Sequence, residues 1–328
     1  MSDRTPREWR DAIRAGDRRA MARAITLLES TREDHAVLGQ AILEELVPDS
    51  GGAIRVGVSG SPGVGKSQFI EMLGLLLVER GQRVAVLAVD PSSPVTGGSI
   101  LGDKTRMEKL AVHENAFIRP SPSGGSMGGV AQRTREAIIV CEAADFDVAL
   151  VETVGIGQSE VAVSSMVDFF LVLLLPASGD ELQGIKKGVI ELADALVVNK
   201  ADGDTKQAAE RTLASYRGAL GLIGAPGSTA WQPQVVTASA LEGTGVSDVW
   251  EMILAHREQA EASGELQRKR RSQARDWMWA LVEEGLEKGF RSHPDVRREI
   301  PDLERDVEAL KTTPAAAARA LLEAFTPR

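Results

Sequence analysis

The sequence predicts an α/β protein with a doubly wound, mostly parallel sheet and a helical extension at each end. Short apolar runs alternate with helical stretches through the middle of the chain, as in buried parallel strands covered by helices on both faces. The first run leads into a glycine-rich turn that opens a helix. At both ends, apolar residues recur at helical spacing instead.

Residues 1–50 are predicted to form an N-terminal helical extension. We interpret the stretch from Trp9 to Val47 as two helices, because its apolar residues lie at roughly helical spacing. These residues are Ile13, Met21, Ile25, Leu28, Val37, Ile42 and Leu46.

Residues 51–262 are predicted to form the sheet domain. Each of its apolar runs is short enough for one strand, and helical stretches separate the runs, as parallel pairing requires. The expected strands are 54–58, 84–89, 148–151, 169–175, 196–198 and 235–237.

Residues 263–328 are predicted to form a C-terminal helical arm, since Arg, Lys, Glu, Ala and Leu dominate after Gly264. Pro294, Pro301 and Pro314 are expected to divide it into separate helices. Such an arm either packs against the sheet domain, dimerises or holds a partner. The basic run 268–271 is interpreted as a solvated helix face rather than a nucleic-acid site.

Composition narrows the class of protein. Of 328 residues, 43% are hydrophobic and 26% charged, which is typical of a folded globular chain. The net charge of −9 gives no general attraction to nucleic acid or anionic lipid. Cys141 is the single cysteine, so no intrachain disulfide is expected, and we predict a buried structural thiol.

We expect a cytoplasmic location without a membrane partner. The first residues, up to Asp17, are charged throughout and lack the apolar core of a signal peptide. The longest apolar run, 169–177, is much shorter than a membrane span.

The glycine-rich turn, residues 60–67, fits the phosphate-binding pattern G-x-x-x-x-G-K-[ST] between a strand and a helix. Its backbone N–H groups and the helix N-terminus are predicted to bind nucleotide phosphates, with Lys66 bridging the β- and γ-phosphates. Ser67 is predicted to ligate Mg²⁺. The nucleotide-binding residues expected here are Gly63, Val64, Gly65, Lys66, Ser67 and Gln68.

Guanine selectivity is predicted from Asn199-Lys200-Ala201-Asp202, which follows a strand and matches the N-K-x-D box. The Asp202 carboxylate can accept hydrogen bonds from N1–H and the 2-amino group of guanine, and adenine has neither donor there. Asn199 is expected to hold the other purine edge, and the stem of Lys200 to cover the ring. The segment Ser239-Ala240-Leu241 is either a loop that offers a backbone N–H to guanine O6 or an ordinary strand-to-helix turn.

Carboxylates at strand ends are the candidates for metal binding and hydrolysis. Glu152 opens Glu152-Thr153-Val154-Gly155, which has the form of the D-x-x-G box, so Glu152 is expected near Mg²⁺ and the Gly155 N–H near the γ-phosphate. Asp90 and Asp103 are further candidate ligands. At the ends of strands, such carboxylates are alternatively helix caps.

The residue after Gly155 is Ile156, so the glutamine that orients water in Ras-like enzymes is missing from its usual position. Slow intrinsic hydrolysis, or the use of another group, is therefore expected. Lys186 or Lys187, in the loop 179–188, either offsets γ-phosphate charge as an arginine finger does or is a solvated lysine at a helix start.

Beyond these motifs the chain resembles the MeaB/ArgK GTPases, chaperones of adenosylcobalamin-dependent methylmalonyl-CoA mutase. The resemblance covers most of the chain and rests on the two nucleotide motifs with the strings 89–94, 98–107 and 152–160. It implies GTP/GDP and Mg²⁺ as ligands, a homodimer held by helical arms, mobile switch loops including 179–188, and GTP-dependent gating of cobalamin loading. It also implies that Lys186 is the better catalytic candidate of the lysine pair. Lys66 and Glu152, from the two motifs above, are the other predicted catalytic residues.

One position departs from the family, where a small hydroxyl residue usually follows the P-loop serine and this chain has Gln68. The backbone N–H of Gln68 can still bind the α-phosphate, although affinity is expected to differ. Two other functions are compatible with a P-loop. A nickel-type metal-insertion GTPase is expected to carry His- or Cys-rich tracts, and a small-molecule or protein kinase an acceptor-activating motif; neither feature is evident in the sequence.

Overall fold

The computed structural model describes residues 4–89, 107–120, 127–153, 159–176, 187–223 and 231–325. The chain divides into two compact units, one up to Arg271 and one from Ser272. The predicted boundaries at 50/51 and 262/263 remain predictions.

A seven-stranded sheet forms the centre of the first unit, in the order β3-β2-β4-β1-β5-β6-β7. Every pairing among the described strands is parallel. All six predicted strands are present. The sequence prediction missed β3, which has one β-branched residue, Ile118, whereas β7, equally short and at the other edge, has three in 235–237. The strands are β1 Ile54–Gly60, β2 Val84–Val89, β3 Ala116–Arg119, β4 Val148–Thr153, β5 Phe169–Leu174, β6 Ala195–Val198 and β7 Gln234–Thr237.

Helices cover both faces of this sheet. The helices of the first unit are α1 Pro6–Arg14, α2 Arg18–Leu28, α3 Glu33–Leu46, α4 Lys66–Glu79, α5 Glu108–Ala111, α6 Met127–Ala143, α7 Ser159–Ser164, α8 Lys187–Ile190, α9 Lys206–Ile223 and α10 Val246–Ala262. Short 3₁₀ turns lie at Val47–Asp49 and Gly203–Thr205. Helix α11, Glu265–Ser292, begins in the first unit and continues into the second.

Alternate residues of the strands enter two separate cores. One core joins the sheet to α4, α5 and α10, and Val58 and Leu150 belong to it. The other joins the opposite face to α6, α7, α9 and the N-terminal helices, and it contains Val151 and Val172. The middle strands are buried along their whole length, which explains why the sequence reads as continuous apolar runs.

The N-terminal extension has three helices, where the sequence predicted two. Gly16, with φ of +80°, ends α1, and the Asp17 carboxylate caps α2 by accepting the N–H groups of Arg19 and Ala20. The apolar spacing continues across this break, so periodicity alone did not reveal it. Ion pairing between Glu29 on α2 and Arg119 on β3 ties the extension to the sheet edge.

Part of the basic run 268–271 is engaged at the amino ends of the strands, contrary to the predicted solvated face. Arg270 donates from Nε and Nη2 to the two carboxylate oxygens of Asp168, at 2.8 and 2.6 Å. Lys269 Nζ donates to the Asp168 carbonyl at 2.6 Å. Burial alone would raise the pKa of Asp168, but Arg270 and the bond from the Arg55 amide outweigh it and lower that pKa.

The second unit consists of the remainder of α11 with α12, Pro294–Glu308, and α13, Pro314–Phe325. Pro294 and Pro314 open helices as predicted. The prediction for Pro301 was wrong: it lies inside α12, where it removes one backbone hydrogen bond without ending the helix. Phe290 and Phe325 pack edge to face, with ring centroids 5.3 Å apart.

As predicted, the single cysteine is buried. Cys141 lies on α6 and is fully buried, and burial raises the pKa of its thiol. Over the described ranges, none of the helices is both long enough and apolar enough to cross a membrane.

Candidate active site

The glycine-rich turn lies where β1 ends at the carboxyl edge of the sheet and α4 begins. Two of its glycines are required by the fold. A Cβ on Gly60, which has φ of +148°, would lie 2.5 Å from the Leu173 carbonyl oxygen of β5. A Cβ on Gly65, with φ of +93°, would lie 2.9 Å from Asn199 Nδ2. The turn can therefore approach its neighbours only without side chains at these positions.

Helix α4 starts at Lys66, directly after this turn. The first amides of a helix have no intrahelical acceptor and carry the positive end of the helix dipole, so this end of α4 is suited to an anion. Lys66 Nζ donates to the Gly60 carbonyl at 2.8 Å and to the Ser61 carbonyl at 3.3 Å. Its ammonium thus lies over the turn, as phosphate binding requires, while Gln68 is exposed in the first helical turn.

A hydroxyl and a carboxylate meet beside the turn. Ser67 Oγ donates to Glu152 Oε1 at 2.9 Å, and Glu152, at the end of β4, is only 4% exposed. Both are the hard oxygen ligands that Mg²⁺ takes, and octahedral bonds of about 2.1 Å place neighbouring ligand oxygens about 3 Å apart. The observed donor set and spacing therefore fit Mg²⁺.

Four predicted site residues lie outside the described part of the chain, namely Asp90, Asp103, Gly155 and Lys186. Two described strands end one or two residues before Asp90 and Gly155. Val89 ends β2 before Asp90, and Thr153 ends the neighbouring β4 two residues before Gly155. Their predicted roles stay predictions.

Asn199 links the glycine-rich turn, residues 60–67, to the loop after β7. We call this turn the phosphate turn from here on. Its side chain is 1% exposed, with Nδ2 donating to the Val64 carbonyl at 2.8 Å and Oδ1 accepting the Ala240 N–H at 3.1 Å. The predicted turn residues and the predicted guanine residues therefore meet through one buried amide. The Ala240 N–H is directed at Asn199, and Leu241 is largely exposed beside it.

Asp202 is held by a residue of the Ser239-Ala240-Leu241 loop. Ser239 Oγ donates to Asp202 Oδ2 and accepts the N–H of Glu242 at 3.1 Å. Since the Glu242 amide is the donor in that contact, the Ser239 proton is available to the carboxylate. Asp202 Oδ1 can then accept from a ligand.

Lys200 adopts a left-handed backbone conformation, with φ of +58°, and its Nζ donates to the Gly63 carbonyl at 2.8 Å. Thr205, which the sequence analysis missed, donates its hydroxyl proton toward the carbonyls of Lys200 and Asp202. A threonine three residues after an aspartate in a turn is a recognisable local signal. The Thr205 hydroxyl stabilises the loop that carries Asp202.

The structure brings the described members of the predicted site together at one edge of the sheet. They come from the turn after β1 and the start of α4, from the end of β4, and from the loops after β6 and β7. The residues are Gly63, Val64, Gly65, Lys66, Ser67, Gln68, Glu152, Asn199, Lys200, Asp202, Ser239, Ala240 and Leu241.

Known proteins resemble this chain over nearly its whole length. The family model for the methylmalonyl Co-A mutase-associated GTPase MeaB matches residues 21–295. A putative GTPase of Caulobacter vibrioides is 57% identical over 311 residues, with 95% of each chain covered. The mitochondrial methylmalonic aciduria type A homolog of Mus musculus is 47% identical over 323 residues, covering 95% of this chain and 78% of the mouse protein. The crystal structure of a LAO/AO transport system kinase is 38% identical, with a TM-score of 0.79 and 98% of both chains covered.

Proposed function

Because the chain belongs to the MeaB family of GTPases, we propose that it is a GTP-hydrolysing chaperone of adenosylcobalamin-dependent methylmalonyl-CoA mutase. In this role its nucleotide state gates cofactor loading and protects the mutase. Support for the partner comes from the family's description as mutase-associated and from the methylmalonic aciduria relative. We propose a cytoplasmic location for this activity.

The observation that carries the nucleotide part of the proposal is the Asn199 bridge between the phosphate turn and the Ser239–Leu241 loop. One buried side chain of the predicted guanine box thus contacts both the P-loop and the loop after β7. GTP and GDP are the proposed ligands, with the phosphates on the α4 amides and Lys66 and the guanine donors on Asp202.

Ser67 and Glu152 would hold Mg²⁺ at the observed oxygen pair, together with Asp90 and Asp103. The metal, when bound, supplies positive charge against the β- and γ-phosphates. Lys66 adds charge at the same place, and Glu152 remains anionic as a ligand.

Hydrolysis needs a group that orients water or offsets charge on the γ-phosphate, and Ile156 cannot orient water. We assign the charge-offsetting part to Lys186 and a γ-phosphate contact to the Gly155 N–H. Slow turnover of the free protein follows, and it suits a switch whose nucleotide state must persist long enough to be read by a partner.

Homodimerisation through the C-terminal arm is the second part of the proposal. On α11, Met278, Val282, Gly285 and Gly289 fall on one face of the helix. A Cβ at either glycine would meet no atom within 4 Å among the described residues. Each mid-helix glycine lowers helix stability by about 1 kcal/mol relative to alanine. Glycine at these positions would allow the backbone of a second α11 to approach closely, which explains why it occurs there.

The partner proposal is tested by mixing the purified chain with adenosylcobalamin-dependent methylmalonyl-CoA mutase. We expect a complex on size-exclusion chromatography whose stability differs between GDP and a non-hydrolysable GTP analogue, and a GTPase rate that the mutase changes. Absence of a complex in every nucleotide state would overturn the chaperone role and leave the GTPase assignment intact.

The dimer is tested by sedimentation of Gly289→Leu, with Leu310→Glu as the control. Leu310 is 91% exposed and lies outside the helical face described above. We expect Gly289→Leu to dissociate the dimer and Leu310→Glu to leave it intact. A dimer that survives Gly289→Leu would place the interface elsewhere.

A kinase remains the second candidate, because the related crystal structure is that of a transport system kinase. The two functions differ in the phosphate acceptor. A GTPase releases one inorganic phosphate per GTP, whereas a kinase transfers the labelled γ-phosphate to an acceptor. Incubation with labelled GTP and a bacterial extract distinguishes them, and stoichiometric phosphate release is expected.

A further inference from the structure

The peptide group between Lys200 and Ala201 is held at both of its ends. Its N–H donates to the Ala238 carbonyl at 3.0 Å, just after β7. Its carbonyl accepts from Thr205 Oγ1 at 2.5 Å. This peptide follows the left-handed Lys200, with φ of +58°, a backbone conformation that few residues other than glycine adopt. The Thr205 hydroxyl therefore helps to hold an uncommon backbone geometry in the loop after β6.

The same hydroxyl reaches a second carbonyl. Thr205 Oγ1 lies 2.7 Å from the Asp202 carbonyl, which also accepts the Thr205 N–H at 3.0 Å. A hydroxyl has one proton, so the carbonyls of Lys200 and Asp202 share it. Thr205 thus contacts the backbone on both sides of Ala201 and closes the turn Gly203–Thr205 onto it.

Asp202 lies beyond the regular pairing of the sheet. The pairing between β6 and β7 ends at Val198 opposite Thr237, four residues before Asp202. In the described part of the chain, Ser239 contacts the carboxylate of Asp202 and Thr205 contacts its carbonyl. The position of Asp202 therefore depends on local contacts, and Thr205 supplies the contact on the backbone side.

We propose that Thr205 is a positioning residue for guanine selectivity, which fixes the backbone at 200–202 so that the Asp202 carboxylate meets N1–H and the 2-amino group together. The inference rests on the proposed guanine contact of Asp202 and is independent of any mutase partner. The Thr205 proton is used on backbone carbonyls, so its effect on the base passes through Asp202. In the proposed site the stem of Lys200 covers either purine, so a shift of Lys200 would not change the preference between them.

The test measures the affinities of GDP, inosine diphosphate and ADP by competition against a fluorescent nucleotide. The three ligands share the same phosphates and sugar. Inosine diphosphate lacks the 2-amino group of guanine, and ADP lacks both donors that Asp202 is proposed to bind. A change in phosphate binding therefore affects all three ligands equally, whereas a displaced Asp202 carboxylate affects GDP most and ADP least.

The variants are Thr205→Val, which removes the hydroxyl at nearly constant shape, and Thr205→Ser, which keeps it. One neutral hydrogen bond corresponds to a change of roughly three- to tenfold in affinity. We expect Thr205→Val to weaken GDP binding by about that factor, ADP binding by less than about twofold, and inosine diphosphate binding by an intermediate factor. Thr205→Ser should restore most of the GDP affinity.

Thr212→Val is the matched control, because Thr212 lies on α9, the helix that follows Thr205, and donates to the Ala208 carbonyl of that helix at 3.0 Å. A general weakening of α9 would affect both variants, but the ratio of GDP to ADP affinity should change only in Thr205→Val. Thr205→Ala is a second variant without the hydroxyl, for use if Thr205→Val does not fold. In an Asp202→Asn background, Thr205→Val should lower GDP affinity by less than about twofold further, since the carboxylate that it positions is already absent.

Equal losses of affinity for all three ligands in Thr205→Val, an unchanged ratio of GDP to ADP affinity in the variants without the hydroxyl, or a full further loss in the Asp202→Asn background would each overturn the proposal. A wild-type chain that binds ADP as tightly as GDP would instead overturn the proposed guanine site itself. The two failures are therefore distinguishable, and neither measurement involves the mutase.

Discussion

Replacement of Asp202 by asparagine should change base selectivity more than the loss of one charge suggests. In the structure, Ser239 donates to Asp202 Oδ2 and is itself engaged by the Glu242 N–H. In Asp202→Asn, the same Ser239 proton needs an acceptor, and the amide oxygen is the only one that asparagine offers. The NH₂ group of the new side chain would consequently face the base.

The magnitude follows from the donors of guanine. N1–H and the 2-amino group both lose an acceptor, and hydrogen bonds to charged groups contribute about 1.5–3 kcal/mol each. The combined loss is about 3–6 kcal/mol, which corresponds to a decrease in GTP affinity of roughly 10²- to 10⁴-fold. Xanthine keeps N1–H and has a carbonyl in place of the 2-amino group, so in xanthosine triphosphate that carbonyl accepts from the new amide and only N1–H lacks a partner. Asp202→Asn should therefore bind xanthosine triphosphate at least about tenfold more tightly than it binds GTP.

The assay is competition of GTP, ATP and xanthosine triphosphate against a fluorescent nucleotide. The double variant Asp202→Asn with Ser239→Ala supplies the control, because without the Ser239 proton the amide can turn its oxygen toward N1–H. About tenfold of the GTP affinity should return. If Asp202→Asn binds GTP within threefold of wild type, Asp202 does not bind the guanine base. If the double variant has the same GTP affinity as Asp202→Asn, the role assigned to Ser239 is refuted.

Three other predictions concern the phosphate turn, the base of the sheet and the single thiol. Lys66→Ala should abolish measurable GTP turnover, because it removes the cation placed over the turn, and unchanged GTPase kinetics would exclude Lys66 from the site. Asp168 has a lowered pKa in the folded chain, so its stabilising contribution is present above the unfolded pKa of about 3.9 and is lost as pH falls through the folded pKa. In urea unfolding between pH 3 and 7, the free energy of unfolding should therefore fall less with decreasing pH in Asp168→Asn than in wild type. An equal pH dependence of that free energy in the two proteins would contradict the pairing with Arg270. Cys141 should resist a maleimide at pH 7.5 in the native protein and react fully in guanidinium chloride, as followed by mass spectrometry; rapid native labelling would contradict its burial.

Local sequence signals predicted most of the sheet, because its middle strands are buried on both faces and their apolar runs are unbroken. The same reasoning failed for β3, a short edge strand with a single β-branched residue. It also failed for Lys269 and Arg270. Their partner, Asp168, lies about 100 positions earlier in the chain, and no local pattern encodes such a contact.

The candidate site divides in the same way. The phosphate turn and the guanine box were predictable because each is a short motif whose residues act together at fixed spacing. The bond from Ser239 to Asp202 was missed because it depends on β7 lying beside β6, a neighbour relation that spacing along the chain does not contain. Glu152 was predicted from its motif, and the lateral strand order explains why its partner is Ser67.

The proposed phosphate and base contacts of this chain share structural support. Asn199 and Lys200 of the guanine box donate to the Val64 and Gly63 carbonyls of the phosphate turn, and Asn199 also accepts the Ala240 N–H. A shift of the phosphate turn therefore moves the side chains of Asn199 and Lys200. Loss of the Asn199 side chain would leave both the Val64 carbonyl and the Ala240 N–H without this partner. If these residues bind GTP as proposed, selectivity for guanine and affinity for phosphate depend on one packed unit, and a substitution on either side is expected to change both.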